Sequence, residues 1–157
     1  LALGTVVPRK GAVDAGIIRS LQDRRKMVIS NSPRARKAET DYEVVAYSKA
    51  TKLHGATTLL KAFPRTGRTH QIRVHFKSIG HPIIGDCLYG DLKVNKIFEQ
   101  EYGLKRQFLH AERLGLVSPT TKKKVVFLSK LPKDLAEVQK KLGFRHEFKF
   151  AHLPAKR

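Results

Sequence analysis

The chain is poor in the residues that build disulfides, metal sites and membrane spans. Cys87 is the only cysteine among 157 residues, so no intrachain disulfide can form, and no Cys/His spacing typical of a zinc site occurs. No apolar run reaches the roughly 20 residues of a membrane span, and no signal peptide is visible. His70, His75 and His81 lack a carboxylate at a suitable spacing, so no metal site is predicted. We expect a cytoplasmic protein without a membrane segment.

Acidic residues are also scarce. The sequence has 32 lysines and arginines against 13 aspartates and glutamates, a formal charge of +19. This balance predicts a polyanionic partner. The cations recur in separate runs at residues 24–26, 34–37, 122–124 and 140–141. Such a distribution favours nucleic acid over a solvated basic tail, and phosphate contacts predict binding that weakens steeply with salt.

The most informative segment is GRTHQIRVHF at residues 67–76, followed by GHPIIGDCLYG at residues 80–90. The spacing of its apolar residues predicts a helix over residues 69–79. One side of such a helix is an apolar stripe of Ile72, Phe76 and Ile79. Beside it lies a polar stripe of His70, Arg73 and Lys77.

The start of this helix is suited to a negative charge. Gly67 and Arg68 precede it, so backbone N–H groups, the positive end of the helix dipole and a guanidinium would converge where a phosphate or carboxylate could bind. The alternative is structural: Arg73 pairs with a carboxylate of the fold and His70 caps a turn.

These residues carry a family resemblance. GRTHQIRVH, GHPIIGDCLYG, AETDY at residues 38–42, and QFLHA at residues 107–111 with Ser118-Pro119 resemble RluA-type pseudouridine synthases, in the same order and at similar spacing over residues 1–142. The resemblance implies an RNA isomerase acting on ribosomal or transfer RNA without cofactor or metal. It also implies an α+β fold with a mixed, mainly antiparallel sheet and a few helices.

The family's chemistry rests on an aspartate in an HRLD motif, a tyrosine, and the arginine of the HQIRVH segment, which is the aspartate's ionic partner. Only the arginine maps onto this sequence, as Arg73, because no HRLD occurs in it. We therefore expect the C-terminal part of a synthase catalytic domain, inactive alone and exposing apolar surface where its N-terminal half would dock. Asp86 is expected to bond backbone groups of the loop at residues 82–90.

The resemblance also suggests RNA contacts at the mouth of the cleft, from Arg68, Thr69, His70, Gln71 and Lys77. Tyr42 and Tyr89 either stack on a base or make structural contacts, and His110 either lines the cleft or is a buried histidine bonded to backbone. Two rival functions stay open: a non-catalytic basic RNA-binding module, and a basic protein that binds acidic partners.

The remaining pattern predicts one domain over residues 1–157 with a basic tail from about residue 145. Strands are predicted at residues 1–7, 40–47, 57–63, 108–117 and 123–128, and further helices at 91–103 and 132–142. Residues 9–16 read as a glycine-rich connection.

Overall fold

The computed structural model describes residues 1–144. Its eight strands are β1 (Ala2–Leu3), β2 (Lys10–Asp14), β3 (Ile17–Arg19), β4 (Met27–Ile29), β5 (Glu39–Ser48), β6 (Thr57–Pro64), β7 (Arg113–Val117) and β8 (Lys124–Leu128), and its three helices are α1 (Gln71–Ser78), α2 (Leu92–Tyr102) and α3 (Lys133–Lys141). The pairings between these strands are antiparallel, which confirms the predicted α+β class. None of these helices is long and apolar enough to cross a membrane. The predicted basic tail lies outside the described residues.

The central sheet has the strand order β1-β6-β5-β2. The predicted strands at residues 40–47 and 57–63 are confirmed as β5 and β6, which pair along nearly their whole length. Tyr42 and Val44 of β5 point into the core with the fully buried Phe76 of α1. The rings of Tyr42 and Phe76 meet edge to face at 5.7 Å, so α1 is held against the sheet by apolar packing.

The glycine-rich connection predicted at residues 9–16 is wrong in part, because Lys10–Asp14 forms β2 and pairs with β5. A side chain at Gly11 would overlap the Tyr42 hydroxyl, 2.6 Å from where its Cβ would lie. The glycine thus marks a close approach within a strand and not a turn. Of the strand predicted at residues 1–7, only Ala2–Leu3 forms.

The helix predicted at residues 69–79 is shorter in the structure, where it is α1. It begins at Gln71, because His70 adopts a left-handed conformation with φ 56°. Ile79 lies beyond its last residue and is 37% exposed, so it does not anchor the apolar stripe as expected. Gly80 follows with φ +81°, the conformation that glycine supplies most easily after a helix.

Strands β7 and β8 form a hairpin whose apolar side chains are exposed. The strand predicted at residues 108–117 begins only at Arg113, where β7 pairs with β8. Large apolar residues of the hairpin are 40–57% exposed: Leu114, Leu116, Val117, Val126, Phe127 and Leu128. This hairpin thus exposes apolar surface; that an N-terminal half of the catalytic domain docks there stays a prediction.

Candidate active site

Arg73 and Asp86 form a buried ion pair at the centre of the site. Asp86, in the loop between α1 and α2, has no exposed surface. The Arg73 guanidinium donates two parallel hydrogen bonds to it, from Nε to Oδ2 at 2.6 Å and from Nη2 to Oδ1 at 2.8 Å. Oδ1 also accepts the backbone N–H groups of Leu88 and Tyr89. The expected bonding of Asp86 to its loop is confirmed, and the loop carboxylate also orients the arginine.

These contacts decide the charge of both groups. Burial alone would raise the pKa of Asp86, but the Arg73 hydrogen bonds and the two loop N–H groups outweigh it and hold the pKa below its usual value. The hydrogen bonds to Asp86 in turn raise the pKa of Arg73. The pair is therefore ionised at neutral pH.

Tyr89 joins the ion pair to His70. Its ring lies 4.9 Å from the Arg73 guanidinium carbon, an arrangement that favours the cation. Its hydroxyl accepts the N–H of Met27 at 2.8 Å and lies 2.9 Å from Nδ1 of His70. Burial, and then the charge of Arg73, lower the pKa of His70, so the imidazole is neutral at pH 7. The phenol proton can then be donated to Nδ1, which leaves the imidazole proton on Nε2.

Gln71 does not point to the mouth of the cleft, where the sequence suggested a contact with RNA. Its side chain is buried, and Oε1 accepts the Thr66 hydroxyl at 2.7 Å and the Arg68 N–H at 2.9 Å. Its Nε2 donates to the carbonyl of Glu39 and to the hydroxyl of Thr40. The carboxamide thus has no unused group for a nucleotide, and it ties the start of α1 to β5.

A second buried network lies under the same helix, and sequence reasoning missed it. His75 has no exposed surface; its Nδ1 lies 2.9 Å from the Thr40 hydroxyl and its Nε2 lies 3.1 Å from the carbonyl of Ala15. A carbonyl can only accept, so Nε2 donates and Nδ1 accepts from Thr40. Burial lowers the pKa of His75. Thr40 could have indicated this network, because it is a polar residue on the same face of β5 as Tyr42 and Val44.

The other predicted contact residues lie at two ends of α1. At its start, Thr69 is exposed, and Nε of Arg68 donates to the carbonyl of Lys37 at 3.1 Å. At its end, the exposed Lys77 borders a groove of about 530 Å³ between α1, β4 and residues 87–92. The structure thus brings His70 to Arg73 and leaves Lys77 on a separate surface.

Two residues with open interpretations prove to have structural contacts. Tyr42 is buried against Phe76, so its ring is not available to a base. His110 bonds the carbonyl of Ser129 through Nε2 at 3.0 Å. The expected bond to backbone is therefore present, but the side chain is half-buried and not buried.

Known proteins are similar to this chain in sequence and in fold. Residues 4–78 match the family described as RNA pseudouridylate synthase. The ribosomal large subunit pseudouridine synthase D of Zymomonas mobilis is 39% identical over 127 residues, 80% of this chain and 38% of that protein. The tRNA pseudouridine synthase C of Haemophilus influenzae is 32% identical over 69% of this chain and 48% of that protein.

A human structure, RNA pseudouridylate synthase domain containing 1, superposes with a TM-score of 0.67 at 28% identity, covering 83% of this chain and 52% of that one. The chain spans less than half the length of the two bacterial relatives. Motifs, matched residues and fold agree, and the chain belongs to the RNA pseudouridylate synthase family, of the RluA type.

Proposed function

We propose that this chain forms the arginine-bearing part of the active site of an RNA pseudouridine synthase, which isomerises a uridine of ribosomal or transfer RNA. The observation that carries the proposal is the orientation of Arg73. Its guanidinium is fixed on one edge by Asp86 and on one face by Tyr89. An arginine held in this way is prepared to bind a second anion.

The donors of Arg73 leave room for that anion. A guanidinium has five N–H groups, and Asp86 takes one from Nε and one from Nη2. The three others have no partner within residues 1–144. Because 12% of the Arg73 side chain is accessible, a second carboxylate can approach the free edge. The aspartate of the family's HRLD motif, which this chain lacks, is the proposed occupant.

In the proposed reaction the uridine is flipped out of its RNA, at a cost of a few kcal/mol that is least in single-stranded regions. The bond from N1 of uracil to the sugar C1′ breaks, the base turns, and a bond from C5 to C1′ forms; C5 loses a proton and N1 gains one. Arg73 keeps the aspartate ionised and oriented, since an adjacent guanidinium lowers the pKa of an Asp by about 1 to 3 units.

The RNA contacts proposed around this centre come from His70, Arg68 and Thr69, and Lys77 is proposed to contact RNA from its separate surface at the other end of α1. The neutral imidazole of His70 offers an Nε2–H donor beside Arg73, whereas Arg68 and Lys77 supply charge for phosphates. Gln71 acts as a positioning residue, since it holds the start of α1. An enzyme of ribosomal or transfer RNA would act in the cytoplasm.

The test uses a longer protein that includes the HRLD segment, with isomerisation measured by release of tritium from C5 of labelled uridine. Arg73→Ala should lower turnover per folded molecule by at least about a hundredfold. Circular dichroism measures the folded fraction, because this substitution also leaves the buried Asp86 without its cation. Arg73→Lys should also be poor, because an ammonium cannot make paired bonds to two carboxylates. Arg106→Ala is the matched control, since it removes an arginine from an exposed bidentate pair with Asp134; its turnover should stay near normal.

Near-normal turnover of Arg73→Ala would contradict the assignment of the arginine. Isomerisation by the 157-residue chain alone would contradict the placement of the nucleophile outside it. Salt-sensitive RNA binding without isomerisation by the longer protein would favour the non-catalytic RNA-binding module, and no RNA affinity at about 0.1 M salt would favour a protein for acidic partners.

We further propose that the β7–β8 hairpin packs against the part of the catalytic domain that this chain does not span. Both strands expose apolar side chains, and the relatives are more than twice as long as the matched region. Leu114 and Phe127 face each other across the pair. Alone, the chain should self-associate in sedimentation velocity, and Leu114→Ser with Phe127→Ser should reduce this. A chain that is monomeric at all concentrations would contradict the proposal.

A further inference from the structure

We propose that His70 binds the uracil carbonyl oxygen that flanks the bond to the sugar, and that Tyr89 is the positioning residue that prepares the imidazole for this contact. The oxygen is O2 of uridine before the isomerisation and O4 of pseudouridine after it. This inference rests on the proposed function and deepens it, because it names the group of the nucleotide that His70 recognises.

Tyr89 decides which nitrogen of His70 can donate. Its hydroxyl accepts the N–H of Met27 at 2.8 Å and lies 2.9 Å from Nδ1 of His70. These are the two hydrogen bonds of this hydroxyl within residues 1–144, the part of the chain that the structure describes. With the amide as its donor, the hydroxyl gives its own proton to Nδ1, and the imidazole proton is on Nε2. The nitrogen that is left for a ligand can therefore only donate, so it selects a ligand atom that accepts.

His70 and Arg73 lie around the same aromatic ring. The ring centroids of His70 and Tyr89 are 5.5 Å apart, and the guanidinium carbon of Arg73 is 4.9 Å from the Tyr89 centroid. The Nε2–H donor is thus close to the arginine that, in the proposed function, orients the aspartate beside C1′. On uracil, the acceptor nearest to C1′ is O2, because its carbonyl carbon is bonded to N1.

The charge of the imidazole favours a carbonyl over a phosphate. Burial, and then the charge of Arg73, lower the pKa of His70, so the donor is neutral at pH 7. Phosphates are bound more strongly by charged donors, and Arg68 supplies such a donor at the start of α1. A neutral donor with a fixed proton is better suited to an uncharged carbonyl oxygen.

The backbone of His70 has a conformation that most side chains avoid. Its φ is 56° and its ψ is 17°, in the left-handed region. Such residues often belong to functional sites, where the surrounding structure fixes them. Here the turn precedes the helix that begins at Gln71, and the imidazole contacts Tyr89. Glycine adopts this conformation with less strain, so the local backbone gives no reason for a histidine and the side chain does.

The reaction offers this donor the same kind of partner before and after the base turns. Breaking the bond from N1 to C1′ and forming the one from C5 to C1′ requires the base to make half a turn about the axis through N3 and C6. This rotation brings O4 to the place of O2. Both are carbonyl oxygens, so one fixed donor is satisfied by substrate and by product. Cytosine would bring its amino group to that place, and two donors would face each other without an acceptor.

The first test is the tautomer of His70 in the 157-residue chain, measured by NMR of its imidazole nitrogens at about pH 8, where the ring is neutral. The signal is assigned by its loss in His70→Gly. We expect the proton on Nε2 in the wild type and a mixture of tautomers in Tyr89→Phe. Tyr47→Phe is the matched control, since its hydroxyl donates to the carbonyl of Val6 at 2.8 Å, and it should leave the tautomer unchanged. A proton on Nδ1 in the wild type would overturn the inference.

The second test uses the longer protein and an RNA stem-loop on which it is active, with tritium at C5 of an unpaired uridine. Replacing that uridine by 2-thiouridine exchanges O2 for sulfur, which accepts hydrogen bonds weakly. The exchange should lower kcat/KM of the wild type about fivefold and that of His70→Gly by less than about twofold. Glycine keeps the left-handed turn, so the fold is retained. Tyr47→Phe should show the wild-type sulfur effect.

Equal sulfur effects in the wild type and in His70→Gly would overturn the inference and leave the proposed function intact, because uridine would still be isomerised. A sulfur effect with 4-thiouridine and none with 2-thiouridine would also overturn it, since the donor would then face the opposite carbonyl of the substrate. No release of tritium from uridine by the wild-type longer protein would overturn the proposed function and the inference with it. A normal thermal unfolding midpoint in His70→Gly shows that a changed ratio is not lost folding.

Discussion

Arg73 and Asp86 are joined by two parallel hydrogen bonds of 2.6 and 2.8 Å at a point where the carboxylate has no exposed surface. A buried carboxylate without a cation would be protonated, and a half-buried guanidinium without an anion would be costly. Each group therefore needs the other. The pair also fixes the plane of the arginine, which is the property that an ionic partner of a catalytic aspartate requires.

Asp86→Ala should lower the free energy of unfolding by about 3 to 5 kcal/mol, because it leaves Arg73 without its anion and two loop N–H groups without an acceptor. Urea unfolding at pH 7 measures this. The control is Asp134→Ala, whose pair with Arg106 is exposed and should cost about 1 kcal/mol or less. Because the pKa of Asp86 is lowered from 3.8, its contribution should be present above that pH and lost as the pH falls below it. Equal costs for the two substitutions would contradict the prediction.

Gln71→Ala should destabilise the chain by about 2 to 4 kcal/mol, since the hydroxyl of Thr66 and the carbonyl of Glu39 lose a buried partner. Thr69→Ala, at an exposed position in the same turn, should stay within about 0.5 kcal/mol. Thermal unfolding compares them. A small loss for Gln71→Ala would mean that its carboxamide is free for RNA, as the sequence suggested.

Stability should fall as the pH is lowered from about 8 to about 5, in part through His75. Its pKa is lowered from 6.5 in the folded chain, so the unfolded chain takes up the proton first and is favoured as the pH falls through that value. His75→Gln should be less stable at pH 8, and its deficit against the wild type should narrow towards pH 5. A constant deficit for His75→Gln would show that His75 titrates alike in both states.

Gly85→Ala should destabilise by at least about 3 kcal/mol. Gly85 has φ +78°, and a Cβ there would overlap the carbonyl of Arg106. Gly67→Ala is the control, because no atom lies within 4 Å of its Cβ position, and its effect on stability should be under about 0.5 kcal/mol. Chemical unfolding separates the two, and a tolerated Gly85→Ala would show that the loop can shift away from Arg106.

The long, periodic elements could be predicted from the sequence. Alternation along β5 and the apolar spacing of α1 are local patterns that survive in the fold, because one face of each is buried. Strands β3 and β4 have three residues each and are too short to show a period. Gly11 signals a turn locally, and only its contact with Tyr42 explains it as part of a strand.

The residues of the candidate site could also be predicted only in part. The motif identified Arg73 and Asp86, but their mutual pairing depends on how the loop at residues 82–90 folds back on α1. Gln71 shows the limit most clearly. A polar residue beside a proposed anion site suggests contact with the ligand, yet its burial is decided by Glu39 and Thr40, which lie more than 30 positions away.

The hydrogen bond to the Tyr89 hydroxyl makes the site accessible to measurement by hydrogen exchange. It holds the N–H of Met27, 62 positions away in the chain, while its ring lies against Arg73. That amide proton can exchange with solvent only when the hydrogen bond opens. Its exchange rate in deuterated water therefore reports the opening of the contact between Met27 and Tyr89, and an anion that binds Arg73 and fixes the ring of Tyr89 should slow it.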